Sequence, residues 1–331
     1  MKWLILIVLI SLPCFSKDID QSACPNFDYS DRFGPVQDQD GHGLCWAFAS
    51  SALLSEDACL RDKNNCGINI SPLDVSSCRK TLLAKNEGRS ISMGLQCAQS
   101  NGACFEKDFS FVTQGSALCG LSNTGPRCIH EKLRDLYKEY QALQITLENC
   151  QEEANAKKLN KFVDEFKDLL KRSISRTDVT DETVKALLLD PKIKDWSSFL
   201  YSALKNERCA TDRIDYSHID QSKLYNMTII KDMKEKVPLE KKVELVKTML
   251  QKGRSIGYTF CANESLPGLS GLLVSGSCGS HAVVINGMRW HKGECQLNIR
   301  NSWGKNGPLH GWISAKKILK HSTGLQQIET K

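Results

Sequence analysis

The sequence predicts an α+β protein, because helical patterns come first along the chain and short β-type runs come last. Three observations carry this. Cys45-Trp-Ala-Phe-Ala-Ser-Ser-Ala-Leu-Leu-Ser-Glu56 is rich in helix formers and contains no Gly or Pro, so a helix starts where the preceding Gly-bearing loop ends. Residues Ile129, Leu133, Leu136, Tyr140, Leu143, Leu147, Cys150 and Ala154 recur in steps of three and four, a heptad pattern. From Gly253 onward the period changes, and Ile256-Gly-Tyr-Thr-Phe260, Ala282-Val-Val-Ile-Asn286 and Gln296-Leu-Asn-Ile-Arg300 read as strands bounded by Gly, Ser and Lys.

The remaining elements follow from the same signals. Asn69 to Cys78 and Ile91 to Asn101 read as short helices, the second stopped by Gly102 in a left-handed conformation. Beyond Ala154 the heptad phase slips to Leu159, Phe162, Phe166 and Leu169, which predicts a turn near Asn155 and a helical hairpin. A single long coiled-coil helix is the competing arrangement.

The N-terminus sets the expected compartment. Lys2, the apolar run Trp3 to Leu12, Pro13 and the small residues before a cut after Ser16 form a secretory signal peptide. No later stretch is apolar enough for a membrane anchor. Fifteen cysteines in 331 residues agree with an oxidising compartment, so the mature chain is expected to be secreted or periplasmic. Cys59 with Cys66 and Cys119 with Cys128 are close enough in sequence to pair, though connectivity is not readable from spacing. The net charge of +6 is scattered, with no block of five like charges and no nucleic-acid-binding motif, so no nucleic-acid partner is expected.

The chemistry-bearing residues fall in three segments. Gly-rich residues deliver Cys45 onto the first turn of a predicted helix, where the helix dipole favours a thiolate. His281 alone among seven histidines opens an apolar β-run. It is followed within about twenty residues by Asn301-Ser-Trp303-Gly304, and a base needs a neighbour that fixes its tautomer and ring plane. Cys278-x-x-His281 has ligand-like spacing but no second pair, so no metal or other cofactor is called for.

These segments resemble the papain/cathepsin family of cysteine peptidases. Pro35-Val-Gln-Asp-Gln39-Asp-Gly-His-Gly-Leu-Cys45-Trp-Ala-Phe48 is similar to that family's nucleophile segment, Cys278-Gly-Ser-His281-Ala-Val-Val to its base segment, and Asn301-Ser-Trp303-Gly304 to its Asn-Ser-Trp-Gly signature. The resemblance implies catalytic roles for Cys45, His281, Asn301 and Gln39. Gln39 and the Cys45 N–H would hold the oxyanion, Asn301 would orient the imidazole, and Trp303 would shield that bond from water. It also implies a papain-like fold: a helical left subdomain and a β-barrel-like right subdomain with the cleft between them. Ile70-Ser-Pro-Leu-Asp-Val-Ser-Ser-Cys78 is similar to another family helix, and Gly88-Arg89 to the Gly pair that binds substrate backbone like an added strand. Gly88, Arg89, Ser280 and Trp303 are therefore the expected substrate-binding residues, for a peptide or protein substrate.

The departures from the family are equally specific. His42 and Asn86 stand where the family carries two disulfide-bonded cysteines, Arg89 replaces the second Gly of the pair, and Ser280 precedes the base. His281 and Asn301 follow Cys45 by 236 and 256 residues (281 − 45 and 301 − 45), against about 130–150 in the family. The excess points to a helical insertion. The expected organisation is a signal peptide (1–16), a helical half with the nucleophile (17–115), the insertion (116–235) and a β half with base and Asn (236–331). The insertion is expected to act as a lid, as an arm for a partner or for self-association, or as a solvated appendage. About ten residues separate the expected cut from the catalytic region, leaving no room for a propeptide. The expected protein is a secreted, bacterial-type cysteine endopeptidase; the alternatives are an inactive papain-like binding module, or an acyl transferase or amidase acting on a non-protein substrate.

Overall fold

A computed structural model describes residues 19–39, 43–77, 89–109, 127–148, 152–174, 179–191, 193–195, 198–199, 202–203, 208–220, 237–262, 280–320 and 322–331. The expected signal peptide, His42, Asn86, Gly88 and Cys119 lie outside these residues.

Helix α1 (Cys45–Arg61) is the axis of the structure. Its residues from Cys45 to Cys59 are all buried, as expected for a helix that is apolar or small on every face. The serines on it satisfy their hydroxyls locally: Ser50 donates to Trp46 O and Ile91 O at 2.7 and 2.9 Å, and Ser55 to Ser51 O at 2.8 Å. Helices α2 (Pro72–Ser77) and α3 (Ile91–Asn101) pack against α1, and α3 ends at Gly102 with φ +66° and ψ −175°, a positive-φ stop open to Gly but extended rather than the left-handed helical turn the sequence predicts. Gly94 lets α3 approach closely, since a Cβ there would lie 2.6 Å from Ser50 Cβ.

On the other side of α1 stands an antiparallel sheet of β1 (Phe27–Asp28), β2 (Ile256–Cys261), β3 (Ser280–His291), β4 (Glu294–Arg300), β5 (Gly311–Ser314) and β6 (Ser322–Gln326), with spatial order β5-β4-β3-β2-β6 and β1 beside β3. The two-residue turn Lys292-Gly293, with φ +51° and +82°, joins β3 to β4 in the geometry that suits strand twist. Strand β3 is buried on both faces. Ala282 and Val284 face the core shared with α1, whereas Val283 and Ile285 face the second core with Val243 and Val246 of α8 (Leu239–Leu250) and Ile318 of α9 (Ala315–Leu319). Gly257 on β2 admits Leu53 and Ile91 against the sheet.

Two adjacent acids of α1 tie the halves together. Glu56 accepts from Arg32 Nη1 at 2.9 Å and from the N–H and hydroxyl of Ser255, both at 2.8 Å. Asp57, fully buried, meets Arg61, Arg254 and His218 at 3.0, 2.8 and 2.9 Å.

Between the halves run α4 (Arg127–Glu148), α5 (Glu152–Ile174), α6 (Asp181–Leu189) and α7 (Arg208–Thr211). Helices α4 and α5 pack on each other as a hairpin rather than forming one long helix. Asn155 lies inside α5, so the turn falls before it. The phase slip registers a change of helix face, and the chain reverses a few residues ahead of it. Leu136, Tyr140 and Leu143 of α4 and Phe162 and Phe166 of α5 are buried, in one cluster with Phe199, Leu187 and the α1 core. Arg213 pins the returning chain: its guanidinium holds Asp74 of α2 at 3.1 and 2.7 Å.

The structure carries Cys24–Cys295, Cys59–Cys66 and Cys104–Cys209 disulfides, and Cys97 and Cys261 are also disulfide-bonded. Cys59–Cys66 is the local pair expected from spacing. The other two span 271 and 105 residues and have no signature in sequence, because loop closure over such distances is set by tertiary folding. Among the described residues, no helix is long and apolar enough to cross a membrane.

Candidate active site

Cys45 is the first residue of α1, buried, and a free thiol. Its sulfur lies against the backbone N–H of Ala282, the residue after His281, and the N–H groups of Cys45 and Trp46 also face it. These donors favour the thiolate, but burial outweighs them and pushes the thiol's pKa up.

His281 is buried near the head of β3, paired across the sheet with Phe260. Its Nε2 meets Asn301 Oδ1 at 2.8 Å, and Asn301 Nδ2 donates to Pro308 O at 2.8 Å, so the amide is fixed with its oxygen toward the ring. Trp303 stacks on the imidazole with centroids 4.2 Å apart, and Phe260 meets it edge-on at 5.6 Å. Burial lowers the imidazole pKa to about 4, opposed by the Asn301 bond. Burial penalises a lone charge on either group. A thiolate and an imidazolium formed together by moving one proton are neutral as a pair and escape much of that penalty.

Gln39 is buried and reaches the same region from the loop before α1. Ser302 Oγ donates to Gln39 Oε1 at 2.5 Å, and Gln39 N–H donates to Ser302 O at 2.7 Å. The hydroxyl bond makes Oε1 the accepting end and presents Nε2 as the donor end. Ser302 is a residue that motif reading passed over; its place between Asn301 and Trp303 was the available signal.

The structure therefore brings Cys45, His281, Asn301, Gln39 and Trp303 together at the junction of α1 and the sheet. Trp303, expected to touch substrate, packs on the His281 ring. Ser280 is exposed at the start of β3, opposite Cys261, and Arg89 is exposed just before α3. Gly88 is outside the described residues.

The profile of the papain family of cysteine proteases matches residues 23–167. That match covers 145 of the 331 residues (167 − 23 + 1), a little under half of the chain. The matched region contains Gln39 and Cys45, while His281 and Asn301 lie beyond it. Among solved structures, the chain is similar to xylellain, a cysteine protease from Xylella fastidiosa, at 17% identity over 96% of this chain and 91% of that one, with a TM-score of 0.47. It is also similar to digestive procathepsin L 3 of Tenebrio molitor larval midgut (11% identity, 96% and 73% coverage, TM-score 0.42). A third similar structure is the proform of the ragweed pollen allergen Amb a 11, a cysteine protease (15%, 97% and 70%, 0.44). No curated protein sequence matches the chain.

Proposed function

We propose that this chain is an exported cysteine peptidase that cleaves internal peptide bonds through a thioacyl intermediate on Cys45. His281 takes the thiol proton, and the thiolate attacks the scissile carbonyl. The oxyanion so formed accepts from Gln39 Nε2 and the Cys45 N–H, and the imidazolium returns the proton to the departing amine. Water, deprotonated by His281, then attacks the thioester, releases the acid and restores the thiol. Asn301 holds the ring through both proton transfers. The observation that carries this reading is the 2.8 Å bond from His281 Nε2 to Asn301 Oδ1, which leaves the other ring nitrogen for Cys45 beside Ala282. Export is supported by the apolar N-terminal run and by the disulfides.

The test is chemical. A thiol alkylator should label one cysteine rapidly near neutral pH, and Cys45→Ala should lose both that labelling and cleavage of a peptide library. Cleavage that survives in Cys45→Ala defeats the mechanism. Cleavage confined to chain ends would assign an exopeptidase instead.

A further inference from the structure

Between α1 and strands β3 and β4 lies a small, partly solvent-open cavity of about 20 Å³, room for a single water-sized species. Its apolar wall includes Phe48, Ala52 and Val284, and its polar wall is Gln37, Arg300 and Ser302. Cys45, His281 and Gln39 do not line this space, but Asn301 and Ser302, which hold His281 and Gln39, do.

The polar wall has donors in excess. Gln37 Nε2 is buried and has no hydrogen-bond partner among the described residues. Arg300 Nη2 donates to Pro35 O at 2.7 Å and to Asn69 Oδ1 at 3.2 Å, both neutral, and its guanidinium lies near the Phe33 ring. Among the described residues no carboxylate pairs with it. Burial accordingly draws its pKa down to about 10. The positive potential extends to His310, whose Nδ1 is buried without a partner among the described residues and whose pKa is lowered by burial and by Arg300 and Lys305. An uncompensated buried cation is costly, and a buried donor without an acceptor costs about 1–3 kcal/mol. Water can accept from both groups but cannot neutralise the guanidinium. A small anion does both.

We propose that this cavity is a binding site for a small monovalent inorganic anion of the halide class, held by Arg300 and Gln37 Nε2. The apolar wall disfavours a second negative charge, which selects a monovalent ion over sulfate or phosphate. The bound anion offsets a positive charge one residue from Asn301. It therefore eases formation of the His281 imidazolium and raises the working fraction of the Cys45–His281 pair. The catalytic consequence rests on the proposed mechanism; the binding site itself does not.

The experiment compares chloride with gluconate, an anion too large for the cavity, at constant ionic strength. In the full chain the thermal midpoint should rise by a few degrees between about 1 and about 100 mM chloride, as for any ligand that binds only the folded state. The value of kcat/KM should rise about fivefold with it. Gln37→Leu should keep its chloride-free activity and lose most of both responses, and Arg300→Gln should lose both. If Arg300→Gln does not fold, Gln37→Leu decides. Identical midpoints in chloride and gluconate, or a chloride response unchanged in Gln37→Leu, overturn the site. A midpoint response without a rate response retains the site and removes its proposed link to catalysis, and this holds even if the cysteine mechanism itself fails.

Discussion

Gln39 shows how a single side chain is committed by its neighbours. An amide can present either end, and here the Ser302 hydroxyl bonds the oxygen, so Nε2 is the donor end that the proposed mechanism assigns to the oxyanion. In the proposed mechanism that bond strengthens only as negative charge develops. Gln39→Ala should then lower kcat/KM by about 10²–10³, equivalent to about 3–4 kcal/mol of barrier, with the fold intact by circular dichroism. Ser302→Ala, which removes only the positioning bond, should give a smaller loss of kcat with KM little changed. An equal loss in the two variants would mean that Ser302 does more than orient the amide. The spacing of Gln39 from Cys45 was legible in the sequence. The Ser302 bond was not, because 263 residues separate the partners and only folding brings them together.

At the scale of elements, the returning segment around α7 is fastened to the helical half rather than hanging from it. Arg213 makes a two-point contact with the buried Asp74 and also donates to Asn101 O, Gly102 O and Cys209 O, while the Cys104–Cys209 disulfide closes the same corner. Arg213→Met should remove this two-point contact from the buried Asp74 and cost about 3–5 kcal/mol in urea-unfolding free energy. Arg213→Met combined with Asp74→Asn should recover part of that, because the double variant removes both charges of the pair. A double variant as unstable as the single one would assign the loss to backbone contacts instead. The heptad pattern foretold helices α4 and α5, and its phase slip foretold a change of face. It missed the position of the reversal by a few residues, since helix ends are set by capping and packing rather than by apolar period.

For the whole molecule, the junction of helical and β halves is what buries His281. Its imidazole lies between α1, Trp303 and Phe260, and the low-dielectric setting holds it neutral. The unfolded chain takes up this proton below about pH 6.5, whereas the folded one does so only near pH 4. The unfolded state thus binds more protons in that window, and stability falls as pH drops through it. The contribution is about 3 kcal/mol, fully present above about pH 6.5 and lost by about pH 4. His281→Gln should flatten the acid side of the urea-unfolding free energy against pH by that amount relative to the native chain. Parallel curves for the two proteins would show that the ring titrates freely in the folded state. Such burial is not readable from a lone His in a sequence.

What the sequence by itself determined is local and periodic. It specified the helix that begins at Cys45, the stop at Gly102, the apolar strand that carries His281, and the motif residues Gln39, Cys45, His281 and Asn301. Each depends on neighbours a few residues away, where backbone preference and side-chain period act directly. Tertiary structure alone decided the pairings over long separations: Cys24 with Cys295, Cys104 with Cys209, Arg213 with Asp74, Ser302 with Gln39 and the donors around Arg300. These contacts close loops of roughly a hundred residues or more. No local signal records such closure, because the chain entropy it costs is offset only by the collective burial of both cores.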